Sequence, residues 1–322
     1  MIADDLILIN CDKIKPKMKT RVLRLNFVLG LCLFAASAAL LAAGVPFIRA
    51  WFYSFAWWSL ILALDGLNYR RRGASLLSGR VTDFLLTAFL SVPVWLVFEL
   101  FNLRLKNWSY HDPVPGLAVR WAGSFIAFAT VIPALKELAA LFQGRPDGAR
   151  KKSSFRPRVT RGLLWLGGGA GACFLLLALA WPRLFFPLVW LGFIFLIEPL
   201  NYRRGRPSLL RDLETGETSR IRSWMLAGAA AGILWELLNF WAGAHWEYHL
   251  PYLNIGRIFQ MPVLGYAGFI PFALEIFVLG VFLDSVYRSI KAKAAFRYAF
   301  LAALIVFDLL CFHLIDRFSV IL

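Results

Sequence analysis

The chain has 322 residues, of which 60% are hydrophobic and 17% charged, with a formal net charge of +16. Soluble domains average about 45–50% apolar and about 25% charged residues, so a soluble globular enzyme and a disordered chain are excluded. The four cysteines (Cys11, Cys32, Cys173, Cys311) are scattered without ligand spacing, which excludes a disulfide scaffold and a cysteine metal cluster.

Residues 1–26 form a basic tail expected in the cytoplasm. Apolar runs then follow at 27–45, 50–69, 82–103, 121–142, 163–181, 184–202, 223–243, 262–287 and 294–316. Runs of about 20 residues span a bilayer as helices, because helices satisfy their own backbone hydrogen bonds in hydrocarbon. The predicted fold is all-α, a polytopic integral membrane protein of nine transmembrane helices. Ala35-Ala36-Ser37-Ala38 resembles a signal cleavage site, but the charged region before it is too long for a signal peptide, so the first helix is expected to remain.

Lysine and arginine alternate sharply between connections. The N-terminal tail and the even-numbered connections hold 26, while the odd-numbered connections and the C-terminus hold seven. The positive-inside rule places the N-terminus in the cytoplasm and the C-terminus outside, with a bacterial inner membrane as the expected location. The basic residues thus orient helices, and no nucleic-acid partner is implied.

The chain matches itself. Trp57–Leu77 aligns without gaps to Trp190–Leu210, with 10 of 21 positions identical. Asp65, Asn68, Tyr69 and Arg70 fall opposite Glu198, Asn201, Tyr202 and Arg203. Further on, Glu99 and Asn102 match Glu236 and Asn239; Trp108, Tyr110 and His111 match Trp246, Tyr248 and His249; Pro133 and Glu137 match Pro271 and Glu275. This predicts two tandem four-helix repeats, 27–142 and 163–287, joined by a basic cytoplasmic linker at 143–162 and followed by a C-terminal helix within 288–322. An even number of helices per unit gives both repeats the same orientation, with a pseudo-two-fold axis along the membrane normal.

Ionisable groups within a bilayer are costly and face the bundle interior or water. Asp65 with Asn68, Glu99 with Asn102, and Pro133 with Glu137 each share a helix face by spacing. The same holds for Glu198 with Asn201, Glu236 with Asn239, and Pro271 with Glu275. The carboxylates Glu99, Glu236, Glu137 and Glu275 are the candidate acid–base groups. Asp65, Asn68, Glu198, Asn201, Asn102 and Asn239 are candidate binding residues, as are Trp108, Tyr110, His111, Trp235, Trp246, Tyr248 and His249. The competing reading is helix cross-linking by hydrogen bonds. His245 and His249 bracket Glu247, but the first half has Asn107 in place of His245 and no ligand cluster emerges, so no metal or cofactor is expected. Gly167-x3-Gly171 and Gly228-x3-Gly232 are faces for close helix contact.

Trp235-Glu236-x2-Asn239, then Trp246-x-Tyr248, then Ile270-Pro271-x3-Glu275 resemble, in order and spacing, the membrane-embedded lycopene cyclase domains of bacterial heterodimeric and fungal fused enzymes. The resemblance covers residues 230–280 well and 95–140 weakly. The family's Pro-x-Glu-Glu is replaced here by a single Glu four residues after Pro. The resemblance implies an enzyme acting without cofactor on an apolar isoprenoid, carotenoid or lipid substrate. A neutral buried carboxyl would protonate an alkene, aromatic faces would shelter the cation and a second carboxylate would remove a proton, with Glu236 and Glu275 as the leading pair. Two other classes stay open: a transporter or flippase with paired intramembrane carboxylates, and a structural membrane protein. The oligomeric state is not encoded in any readable feature.

Overall fold

A computed structural model describes residues 16–143, 152–252 and 255–321, so most of the basic tail and part of the 143–162 linker lie outside the described residues. Among those described, nine helical spans are long and apolar enough to cross a membrane. The protein is an all-α polytopic membrane protein.

The chain begins with a hairpin of α1 (Pro16–Ala42) and α2 (Pro46–Arg72). Gly44, at φ 74°, makes the turn, and Pro46 starts α2 where its missing N–H costs nothing. Next come α3 (Val81–Leu105), the short strand β1 (Trp108–His111), and a fourth span divided into α4 (Leu117–Phe128) and α5 (Val131–Phe142). The break has a specific cause. Pro133 cannot donate to the fourth carbonyl before it, and Ser91 of α3 inserts beside it. The Ser91 hydroxyl donates to Phe128 O at 2.6 Å and accepts from Ile132 N at 3.0 Å, taking the place of a helical hydrogen bond.

The second half opens with α6 (Arg161–Ala180), whose first turn is capped by the Thr160 hydroxyl accepting from Leu163 N. A one-turn α7 (Pro182–Phe185) and a 3-10 turn lead into α8 (Val189–Arg203), then α9 (Leu209–Thr215), α10 (Ser219–Trp241) and β2 (His245–Tyr248). A small β3–β4 ribbon (Arg257–Ile258 with Met261–Pro262) and a 3-10 turn at Val263–Gly268 precede α11 (Phe269–Ile290). The last helix, α12 (Ala294–Phe318), packs on α3. The centre of the bundle is made by α2, α3, α5, α8, α10 and α11, while α1 and α6 lie outside them against α2 and α8. Exposed apolar side chains such as Leu29, Trp165, Leu166 and Leu226 cover the outer face, as lipid contact requires.

The two hairpins close through glycine. A Cβ on Gly30 would overlap the backbone of Ser59 and Ala63, and one on Gly171 the backbone of Gly192 and Leu196. Gly171→Leu is therefore expected to push α6 off α8 and lower stability by about 1–3 kcal/mol or more. Gly168→Leu meets open space and serves as the control. Thermal unfolding in lipid nanodiscs checks this, and equal midpoints for the two variants would refute it. Gly228 and Gly232 play the same part against Phe269 of α11.

The strands join the two halves at one end of the bundle. They pair antiparallel, with Trp108 opposite Tyr248, Ser109 opposite Glu247 and Tyr110 opposite Trp246. The C-terminal segment borders β1, since Tyr110 N donates to Ser319 O and Ile321 N to Tyr110 O, both at 2.8 Å.

Candidate functional site

Each half carries a buried glutamate behind its strand. Glu99 of α3 is 1% exposed, and its Oε1 accepts from Trp95 Nε1 at 2.9 Å, Trp108 Nε1 at 3.1 Å and the Tyr110 hydroxyl at 2.5 Å. Glu236 of α10 is fully buried, and its Oε1 accepts from the Tyr248 hydroxyl at 2.9 Å. The second oxygen of each carboxyl has no partner among the described residues. Burial and the adjoining carboxyl push both phenols well above the ordinary tyrosine range, so Tyr110 and Tyr248 stay protonated and donate.

The two tyrosines open onto one cavity of about 430 Å³ between the halves, under the strand ribbon. Its wall is mainly aromatic: Tyr53, Trp95, Trp108, Trp190, Trp235, Trp246, Phe269 and Phe272 all line it. The rings interlock, Trp190 stacking on Phe98 at 5.5 Å and meeting Phe272 edge-on at 5.6 Å. One side is polar, where Arg120 of α4 grips Asp316 of α12 through two bonds of 2.7 and 3.0 Å.

Asn102 and Asn239 hold the loops and not the carboxylates of their own helices. Asn102 Nδ2 donates to Trp108 O, and its Oδ1 accepts from Asn107 N and Trp108 N. Asn239 makes the matching pair of bonds to Trp246 O and N. These bonds fix the chain after each helix, which matters most after α3, where Lys106 is left-handed at φ 56°. Asn and Glu share a helix face, yet the nearby backbone with unsatisfied groups is the stronger competitor for each amide.

The other predicted residues do not join this cavity. Asp65, Asn68 and Glu137 meet between α2 and α5, where Asn68 Nδ2 donates to Glu137 Oε2 at 2.6 Å and Leu77 N to Asp65 Oδ1 at 2.6 Å. Glu198 accepts from the Ser208 hydroxyl and from Leu210 N. Asn201 donates to Val278 O, one turn beyond the position that the sequence alignment gives as the counterpart of Glu137. Glu275 instead accepts from Phe193 N at 2.9 Å in the middle of the bundle. The sequence match between Glu137 and Glu275 is thus not a match of sites: α11 sits about one turn out of register with α5, because each helix is positioned by its own neighbours. Of the four candidate glutamates, Glu99 and Glu236 stand behind the cavity tyrosines, whereas Glu137 and Glu275 bond other partners.

His111 lines the cavity, and His249 contacts the Ser109 hydroxyl at 2.7 Å. Among the described residues no group of three or more His, Cys, Asp or Glu is placed to hold a metal ion. Sequence reasoning passed over Ser91, the Arg120–Asp316 pair and Asp308 of α12. Asp308 is 3% exposed with neither oxygen partnered among the described residues. An acidic residue inside the ninth apolar run was the signal that could have found it.

Comparison with protein-family models, with curated proteins and with solved structures finds no match to this chain.

Proposed function

We propose that the protein is a membrane-embedded enzyme that isomerises or cyclises an apolar, unsaturated substrate of the isoprenoid or carotenoid class. The supporting observation is one aromatic cavity into which both halves deliver a tyrosine backed by a buried glutamate. Glu236, with one donor, serves as the acid, passing a proton through the Tyr248 hydroxyl to an alkene carbon. The carbocation so formed lies among Trp and Phe faces, which stabilise positive charge. Glu99, with three donors converging on one oxygen, suits a carboxylate and takes a proton from the cation through Tyr110. One proton enters and one leaves, so neither an oxidant nor a cofactor is needed. The cyclase-like motif order in 230–280 agrees with this chemistry.

The proposal includes two like-oriented repeats, a cytoplasmic N-terminus and a bacterial inner membrane. In the strand register Trp108 faces Tyr248 and Tyr110 faces Trp246, the exchange made by a two-fold axis through Ser109 and Glu247, which supports such an axis. With that orientation the cavity lies toward the outer leaflet.

A second reading is carriage of the same ligand across the membrane. It is favoured by the breaks before α5 and α11, which fall at matched positions beside the cavity. Untargeted lipid and pigment profiling of a deletion strain separates the two. An accumulated precursor with a missing product of the same elemental composition supports the enzyme. An unchanged inventory with altered distribution between leaflets supports the carrier, and no change in either would overturn both.

A further inference from the structure

A second polar site lies apart from the cavity, between α2, α5 and the loop after α2. There the carboxyls of Asp65 and Glu137 lie side by side, accepting from two successive backbone amides, Leu77 N at 2.6 Å and Leu76 N at 3.1 Å. Asp65 is fully buried and Glu137 is 1% exposed. Their oxygens receive four neutral N–H groups: Leu77 N and Asn26 Nδ2 at Asp65, Leu76 N and Asn68 Nδ2 at Glu137. Two carboxylates cannot touch in an apolar interior unless a proton lies between them. Asn68 supplies an independent sign. It is fully buried, and its amide oxygen, on the same planar group whose nitrogen touches Glu137, has no donor among the described residues. An orphaned acceptor beside two carboxyls calls for an acid O–H or a water that a carboxyl proton orients.

The second half argues against a purely structural role. There Glu198 takes the same kind of bonds from Ser208 and Leu210, Asn201 meets a backbone carbonyl of α11, and the nearby carboxyl, Asp212, is paired with Arg220 at 3.2 Å. The same helix junction is therefore built with its second acid held by a cation. The second acid of the first half lies on α5, which is separated from α4 by the break at Ala129–Thr130 and whose first residue, Val131, lines the cavity.

We propose that Asp65 and Glu137 form a proton-binding site that holds one proton between them and so latches α5 onto α2. Loss of that proton leaves two negative charges in contact and frees α5, which changes the cavity at its other end. The charged side chains around α5 make their hydrogen bonds elsewhere. Lys136, next to Glu137 in sequence and within electrostatic reach of it, turns to Thr87 of α3, toward Asp83, Asp284 and Arg288. Arg71 and Arg72 of α2 bond the carbonyls of Leu141 and Ala140 at the end of α5. The buried residues of α10 and α11 include no charged side chain other than Glu236 and Glu275.

The test uses the full-length protein in nanodiscs, titrated by infrared spectroscopy at the carboxylic C=O stretch, with hydrogen exchange over residues 129–136 followed in parallel. Wild type is expected to lose part of that band as pH rises, and exchange in 129–136 to quicken by about an order of magnitude over the same range. Asp65→Asn, whose amide can donate to Glu137 without a proton, is expected to lack that band component and to hold slow exchange at every pH. Glu137→Gln is the second variant should the first fail to fold. Glu198→Gln is expected to retain both pH responses. Matching titrations in wild type and Asp65→Asn, or an exchange rate that ignores pH in wild type, would overturn the proposal. Neither readout depends on substrate, so failure here is distinct from failure of the enzyme reading.

Discussion

Glu236→Gln is expected to reduce product formation by about 10²–10⁴-fold, the usual contribution of a positioned acid, while membrane insertion and thermal stability stay near wild type. Glutamine keeps the shape and the oxygen that accepts from Tyr248, and loses only the transferable proton. Tyr248→Phe should reproduce the defect, because the phenol stands between the carboxyl and the cavity. Glu275→Gln is the informative contrast. Glu275 bonds the backbone of Phe193 and lies outside the cavity wall, so its replacement should alter stability more than turnover. Product assayed by mass spectrometry in a complemented deletion strain, with purified protein as a check on folding, measures all three. Wild-type turnover in Glu236→Gln would remove the acid role altogether.

Asn102→Ala should be among the most destabilising single changes in the chain. It removes three hydrogen bonds and leaves Asn107 N, Trp108 N and Trp108 O without partners in a region where Asn107 is 1% and Trp108 6% exposed. Each buried group left unsatisfied costs about 1–3 kcal/mol, against a typical total stability of about 5–15 kcal/mol. The segment involved also contains Lys106 at positive φ, which needs its surroundings to hold it. Asn239→Ala removes two such bonds, to Trp246 N and O, and is expected to cost less. Thermal unfolding in nanodiscs gives the order directly. A midpoint for Asn102→Ala equal to wild type, or above that of Asn239→Ala, would refute the loop-anchoring role.

The placement of the carboxylates shows where linear patterns stop being informative. Glu99 and Glu236 were found from their repetition, and Trp108, Tyr110, Trp246 and Tyr248 from the repeated spacing after them. Their convergence on one cavity follows from strand pairing between segments more than 130 residues apart, for which no local signal exists. Glu137 and Glu275 look equivalent because each follows a proline by four residues. Yet one meets Asn68 and Asp65, while the other meets the backbone of Phe193. Ser91 could not have been recognised in advance, since its role exists only where α3 passes the break before α5.

By itself the sequence determined the helical spans, the polar residues that had to be interior and the close-contact glycines Gly171, Gly228 and Gly232. The reason is that hydrocarbon enforces these locally: every backbone group must be satisfied within its own helix, and every ionisable group must be hidden from lipid. Tertiary structure alone decided which buried polar groups meet. Lipid imposes no register between helices, so partners are chosen by close packing and by whichever unsatisfied donor or acceptor lies within reach. That is why Asn102 and Asn239 hold loops, Glu99 and Glu236 back the two tyrosines of one cavity, and Asp65 lies beside Glu137.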